Sequence, residues 1–204
     1  MHYIMKNLKH PQSKNQKPPI RVICVRTGTK YNEWWENNLK YMVDNYSGLK
    51  YDEFVVVKEN LYELQVANKL IMFDRYRDGQ NIYFDLDIVI KDDCNKFLTN
   101  DLTVCHAWWR EAWHTPLNSS IISWSGDRSD VFKKWNEDLD YNMVKYHKGI
   151  DQYFYEDIKP NTYKKGFCSY QTEQKDLSEY SIVLFNQRKN EMLQETWCKK
   201  YIME

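Results

Sequence analysis

The chain lacks net charge: 29 Lys and Arg residues balance 29 Asp and Glu residues over 204 positions. That balance argues against the basic footprint of a nucleic-acid-binding surface. No apolar run approaches the roughly 20 residues that cross a bilayer, and the first residues lack the apolar stretch of a secretory signal. The five cysteines, Cys24, Cys94, Cys105, Cys168 and Cys198, are odd in number, widely spaced and never arranged as C-x-x-C. Such spacing speaks against a zinc site or a disulfide framework and for reduced thiols. The expectation is a soluble, cytoplasmic protein without a membrane span.

What is present is enough for a core. The hydrophobic fraction is 42% and the aromatic fraction 16%, which suits a folded chain. Many of the aromatics are Tyr and Trp, fit for a core or for a carbohydrate surface. Residues 1–19 read as a basic, proline-containing arm, with Lys6, Lys9, His10, Lys14 and Lys17 set among Pro11, Pro18 and Pro19. Residues 20–204 read as a single domain.

Within that domain, Ile20 to Arg26 reads as a buried first strand after Pro19. A Gly28-Thr29 turn follows, then a helix capped by Asn32 that buries Trp35, Leu39, Met42, Val43 and Tyr46 and stops at Gly48. On that helical spacing Trp34 and Trp35 read as core. Phe54 to Val57 gives a second strand. This strand, helix, strand order predicts a parallel α/β layer. Further on, Leu70 to Phe73 continues a helix, Asp78-Gly79 marks a turn, and Asn81 to Ile90 (NIYFDLDIVI) reads as one strand. Ser119 to Trp124 and Ser181 to Phe185 read as strands. Ser129 to Leu139, capped by Ser129, and Glu191 to Tyr201 read as helices.

Two acids interrupt the apolar strand, Asp85 and Asp87. An unpartnered buried carboxylate is costly. Residues two apart on a strand face one way, so the pair shares a side. Like charges that close repel unless a cation lies between them, and a hard ion such as Mn²⁺ or Mg²⁺ suits oxygen ligands. Ligand sites of open α/β sheets gather at the carboxyl ends of strands. The competing reading is a strand end whose acids cap a helix or pair with Lys or Arg; the apolar flanks favour the site.

The stretch Tyr83 to Ile90 (YFDLDIVI) resembles the "YLDLDVVI" element of small bacterial and viral glycosyltransferases of the GT-A fold, similar in pattern to the family 8 retaining enzymes. Other segments follow in that family's order. Arg21 to Tyr31 resembles the first strand and nucleotide loop, and Ala67-Asn68-Lys69-Leu70 with Phe73 resembles the "W-x-K-L-x-x-F" helix. Leu117 to Ser120 resembles the "N-S-[SG]" strand start, Gly149 to Gln152 the "G-D-Q" element, and Ile182 to Lys189 the "F-H-G-x-x-K-P" loop. The resemblance spans about Arg21 to Tyr201. It implies a mixed, mostly parallel sheet flanked by helices and transfer of a hexose from a nucleotide-sugar donor, UDP-linked first among the choices, to a carbohydrate or other hydroxyl acceptor.

The resemblance also implies roles. Asp85 would contact the ribose or the metal, and Asp87 the metal that bridges the donor diphosphate. Arg26, Thr27 and Gly28 would lie against the nucleotide. Lys69 would sit near the acids, and Asn118 and Ser119 would line the donor sugar. Asp151 and Gln152 would hold sugar hydroxyls near the anomeric carbon, and Arg188 and Lys189 would face the diphosphate. Departures are plain. The family's late His, a metal ligand, aligns with Asn186, its Gly with Gln187, the Lys-Pro pair is missing, and Ile150 is inserted in Gly-Asp-Gln. Asn is a poorer ligand than His for Mn²⁺, although its amide oxygen coordinates.

His106 to His114 (HAWWREAWH) carries Trp108, Trp109 and Trp113, with Arg110 and Glu111. Indole faces stack on sugars, so an acceptor subsite is one reading, with Glu111 a candidate base; a packed aromatic loop is the other. His106 and His114, without cysteines, read as surface residues rather than ligands. Against an active transferase stand a degenerate nucleotide- or sugar-binding protein, favoured by Asn186 and Gln187, and a metal-dependent phosphohydrolase, which needs more acidic and His ligands than are clustered here.

Overall fold

The computed structural model describes residues 17–111, 113–172 and 177–203. The basic arm lies outside the described residues except for Lys17 to Pro19. The main sheet has six strands, β1 (Ile20–Val25), β2 (Glu53–Val57), β3 (Gln80–Phe84), β5 (Thr103–His106), β6 (Leu117–Ser125) and β7 (Asn161–Tyr163), in the order β2-β1-β3-β6-β5-β7. β1 pairs in parallel with β2 and β3, and β7 with β5, while β6 runs antiparallel between β3 and β5. A smaller sheet, β4 (Ile88–Ile90), β9 (Ile182–Leu184) and β8 (Phe167–Ser169), has the order β4-β9-β8. The expected mixed, mostly parallel α/β architecture is what the chain adopts.

Both faces of the main sheet are covered, and the alternation of β1 and β3 shows how. Val22, Cys24, Ile82 and Phe84 pack into one core with Trp35, Leu39, Met42 and Val43 of α1 (Glu33–Tyr46) and with the small sheet. Ile23 and Tyr83 enter the other core. There they meet α2 (Ile71–Arg75), α3 (Ser129–Glu137) and α5 (Ile150–Tyr153) through Phe73, Trp135 and Tyr153. Side chains alternate in direction along a strand, so a sheet with helices on both faces needs apolar residues at every position. Burying a side chain of this size contributes about 1.5–3 kcal/mol. All five cysteines are free and buried, and Trp35 is core. No helix among the described residues is long and apolar enough to cross a membrane.

Five expectations need correction. The run Asn81 to Ile90 is two strands, not one. β3 ends at Phe84, Asp85 N still donates to Ser120 O at 2.9 Å, and the chain then crosses to the small sheet, where Ile88 opens β4 opposite Leu184. The helix from Ser129 stops at Glu137, and a separate α4 (Leu139–Lys145) begins at Asp138, whose carboxylate accepts from Tyr141 N. Asp127, rather than Ser129, supplies the side-chain acceptor at the start of α3, 2.8 Å from Ser129 N. The closing helix is α6 (Lys189–Gln194) alone, because Glu195 is extended and only a 3₁₀ turn, Cys198–Lys200, follows. At the start of α1, Asn32 holds the cap position, but its side chain makes no capping hydrogen bond.

Candidate active site

A cavity of about 960 Å³ opens where β1 and β3 end, at the upper end of the usual range for ligand sites. Each wall comes from a different element. The segment after β1 supplies Thr27 to Tyr31, and the 3₁₀ turn Gln65–Leu70 supplies Gln65, Val66 and Lys69. The crossover between the sheets supplies Asp85 to Asp87, and the start of β6 supplies Asn118 to Ser120. The loop after β5 supplies Trp109 to Glu111 with Trp113 and His114. The approach to α5 supplies Lys148 to Asp151, and the loop after β9 supplies Asn186 and Gln187. Gly28 has φ +65°, and a Cβ there would meet Gln65 Oε1 at 2.8 Å, so the turn beside the cavity needs glycine.

Asp85 and Asp87 both line the cavity, though the chain brings them there by leaving one sheet for another rather than by strand alternation. Lys69 Nζ lies 2.7 Å from Asp85 Oδ1, and Tyr83 donates its hydroxyl to the same oxygen. The ammonium also reaches Ser119 O and Oγ at 3.3 and 3.4 Å. Asp85 is therefore tied to a lysine without being turned from the cavity. Asp87, 6% exposed, accepts the Gln187 amide at 2.5 Å and a hydrogen bond from the Tyr31 side chain.

The two carboxyls titrate in opposite directions. Burial pushes Asp85 up, but the Lys69 charge and hydrogen bonds from Lys69, Tyr83 and Ser120 outweigh it and hold Asp85 below the ordinary aspartate value. Burial and then the Asp85 charge raise Asp87, against the opposing pull of Lys30, the Gln187 amide and Tyr31. Burial, Asp87 and Asp85 raise the Tyr31 phenol, which stays protonated as a donor.

The loop after β9 is conformationally unusual. Asn186 and Gln187 have φ of 50° and 73°, a left-handed geometry that costs non-glycine residues about 1–2 kcal/mol each. It aims the Gln187 amide at Asp87. Asn186 Nδ2 donates to Ser169 Oγ at 2.8 Å, and Asn118 Nδ2 donates to Asn186 Oδ1 at 3.3 Å. Glycine, the residue of the resembled loop at position 187, takes this φ without that cost.

Across the cavity, Asp151 accepts from Ser119 N at 2.9 Å through Oδ1 and from Arg110 Nη2 at 2.8 Å through Oδ2. Gln152 lies off the cavity lining, its amide donating to Glu156 at 2.8 Å. Arg26 pairs with the buried Glu36, Arg188 lies 3.9 Å from Glu191, and Lys189 donates to Lys30 O at 2.6 Å. None of these three lines the cavity, and nor does Trp108, which packs on Phe167 and Trp109. The structure thus brings together Thr27, Gly28, Lys69, Asp85, Asp87, Trp109, Glu111, Trp113, Asn118, Ser119, Asp151 and Asn186. The aromatic loop serves both readings, its base packed and Trp113 71% exposed beside the cavity. Lys30, Tyr31, Arg110 and Lys148 also line the cavity. Tyr31 and Arg110 stand inside segments singled out in the sequence, but nothing there tells which side chain of a loop turns inward.

The architecture is shared with glycosyltransferases. One is a glycosyltransferase involved in the glycosylation of the major capsid of PBCV-1, which superposes with TM-score 0.65 at 10% identity over 87% of this chain and 100% of that one. Another is GlyE of Streptococcus pneumoniae TIGR4, with TM-score 0.59 at 10% identity over 89% of this chain. Its apo form gives TM-score 0.56 at 12% identity over 81%. The chain spans 65% and 54% of those two GlyE chains. No family model and no curated protein sequence matches the chain.

Proposed function

We propose that the protein is a metal-assisted glycosyltransferase that moves a sugar from a nucleoside-diphosphate donor, UDP-linked in the leading case, to a hydroxyl acceptor. One observation carries this reading: Asp85 and Asp87 share the wall of a large cavity at the strand ends of a fold found in solved glycosyltransferases. Among the described residues no three His, Cys, Asp or Glu side chains cluster as metal ligands. Yet a carboxylate raised by burial and then by its neighbour's charge suits a divalent cation, which would relieve that repulsion. Asp85, Asp87 and the amide oxygen of Asn186 would hold it, with donor phosphate oxygens and water completing the set. When bound, it supplies positive charge where the leaving diphosphate becomes negative.

The chain's own groups do the rest. Lys69 adds a fixed ammonium beside the acids, and such preorganised charge favours the state in which charge develops. Asp151, fixed at both oxygens, keeps lone pairs for sugar hydroxyls. Thr27, Gly28 and Tyr31 border the nucleotide end, and Trp109, Glu111 and Trp113 the acceptor end. With Asp151 so engaged, a front-face course suits the site: the acceptor oxygen bonds the anomeric carbon as the bond from that carbon to the bridging phosphate oxygen breaks, and the departing phosphate oxygen takes the acceptor proton. That course retains configuration, as the family resemblance implies.

A second reading is a nucleotide-sugar binder without turnover. It is favoured by Asn186, whose amide already bonds Asn118 and Ser169. Release of UDP from UDP-glucose, UDP-galactose and UDP-N-acetylglucosamine, with and without Mn²⁺, separates the two. Cation-dependent release by the native chain, lost in Asp87→Ala, is expected for the transferase. Release at the native rate by that variant would refute the role given to Asp87.

A further inference from the structure

The loop between β5 and β6 is closed at its base, where Ala107 N donates to Pro116 O at 2.7 Å. Trp108 and Trp109 pack that base on Phe167, at centroid distances of 5.1 and 6.1 Å. The tip, with Glu111, Trp113 and His114, borders the cavity. Trp113 meets the far wall through Lys148, whose Nζ lies 5.8 Å from its ring centroid, and Arg110 reaches across through hydrogen bonds. Its Nη1 donates to Leu117 O and to Thr115 O, the latter at 3.4 Å, while Nη2 pairs with Asp151 Oδ2 at 2.8 Å. Thr115 Oγ1 adds a bond to Asp151 O at 3.4 Å. The pair is mostly buried, with 21% and 17% of the two side chains exposed.

A planar guanidinium satisfies this set because its donors diverge at fixed angles; a lysine ammonium on a flexible stem does not hold two carbonyls and a carboxylate at once. One side chain therefore fixes both the mouth loop that carries Trp113 and the carboxylate on the donor-sugar side. We infer that Arg110 is a positioning residue that couples the two halves of the cavity: a sugar held by Asp151 sets the loop bearing Trp113, and the ordered loop sets Asp151 for the sugar. Such coupling is reciprocal in free energy. This rests on the donor reading above.

The test uses the full chain labelled with 5-fluorotryptophan, the Trp113 resonance being assigned with Trp113→Phe. The probes are UDP alone and UDP-glucose, UDP-galactose and UDP-N-acetylglucosamine, each with Mn²⁺. In the native chain the sugar-bearing probe that binds best is expected to shift the Trp113 resonance, and UDP alone to leave it in place. In Arg110→Lys the shift is expected to vanish and the sugar-bearing probe to bind at least about tenfold more weakly, the loss of one charge-assisted hydrogen bond. UDP affinity there is expected to stay within about twofold, which also reports that the variant is folded. An unchanged Trp113 shift and unchanged affinity in Arg110→Lys would overturn the coupling and leave the donor reading standing. An equal loss of UDP and UDP-sugar binding would make Arg110 a general structural residue and overturn it as well. No binding of any probe by the native chain would remove the donor reading and this inference together.

Discussion

Lys69 Nζ stands 2.7 Å from Asp85 Oδ1, whereas Asp87, two residues on, is met by the Gln187 amide and the Tyr31 phenol. The cavity therefore has one acid already neutralised by the protein and one whose ionisation is opposed. That asymmetry makes Asp87 the acid that gains most from an added cation.

Removing the Asp87 charge should separate stability from function. A carboxyl with a raised folded-state pKa contributes stability that is present below its unfolded value and is lost as pH rises through the folded one. Cation-free native protein should thus lose stability from about pH 3.8 upward on account of Asp87, and Asp87→Asn should not. Asp85 acts in the opposite sense: its contribution is present above the unfolded value and fades as pH falls through its depressed one. Thermal melts against pH check this. Near neutrality Asp87→Asn should melt higher than the native chain by about 2–4 °C for each kcal/mol gained, while losing transferase activity.

Lys69→Met leaves Asp85 with hydroxyl partners only. Losing one member of a largely buried ion pair should cost about 2–3 kcal/mol, measured as a drop in the urea midpoint at constant slope. The double variant Lys69→Met with Asp85→Asn should recover most of that loss, since the uncompensated charge goes with its partner.

Gln187→Gly should relieve the left-handed turn. The φ of 73° costs a non-glycine residue about 1–2 kcal/mol, and the added freedom of glycine in the unfolded chain returns about 0.5–1 of it. A net gain of roughly 0.5–1 kcal/mol in urea unfolding is expected, with no gain from Gln187→Ala.

Trp113 is 71% exposed, so Trp113→Ala should alter stability by no more than about 0.5 kcal/mol. If the loop tip is the acceptor platform, the same change should raise the KM for acceptor and leave donor hydrolysis by water untouched. Steady-state kinetics with acceptor varied at saturating donor reads that split.

Much of this was legible from residues alone. The β-branched run of β1, the apolar face of α1 and the acids in YFDLDIVI led to the right layer and to the carboxyl ends of its strands. The break between Phe84 and Ile88 was not legible, because apolar residues on both sides of the acids suit two short buried strands as well as one long one. Leu193, Trp197 and Tyr201 keep helical spacing, yet Trp197 stacks on Phe185 and Tyr201 packs on Tyr46 from a chain that has already turned at Glu195. Tertiary aromatic contacts imitated a helix face there. Arg110 gave no sign of its role, since its partner Asp151 lies far along the chain and only the fold joins them. Gln152, Arg188 and Lys189 illustrate the converse: motif position carried them into the predicted site, yet they lie off its lining, Gln152 and Arg188 with partners three or four residues away and Lys189 on the distant Lys30 carbonyl.

The most direct test is calorimetric titration of UDP into the native chain and into Asp87→Asn, each with and without Mn²⁺. The expected result is binding that needs the cation and weakens at least about tenfold in Asp87→Asn, the loss of roughly 1.4 kcal/mol. Equal affinity in all four titrations, or none in any, would contradict a diphosphate site built on Asp85 and Asp87.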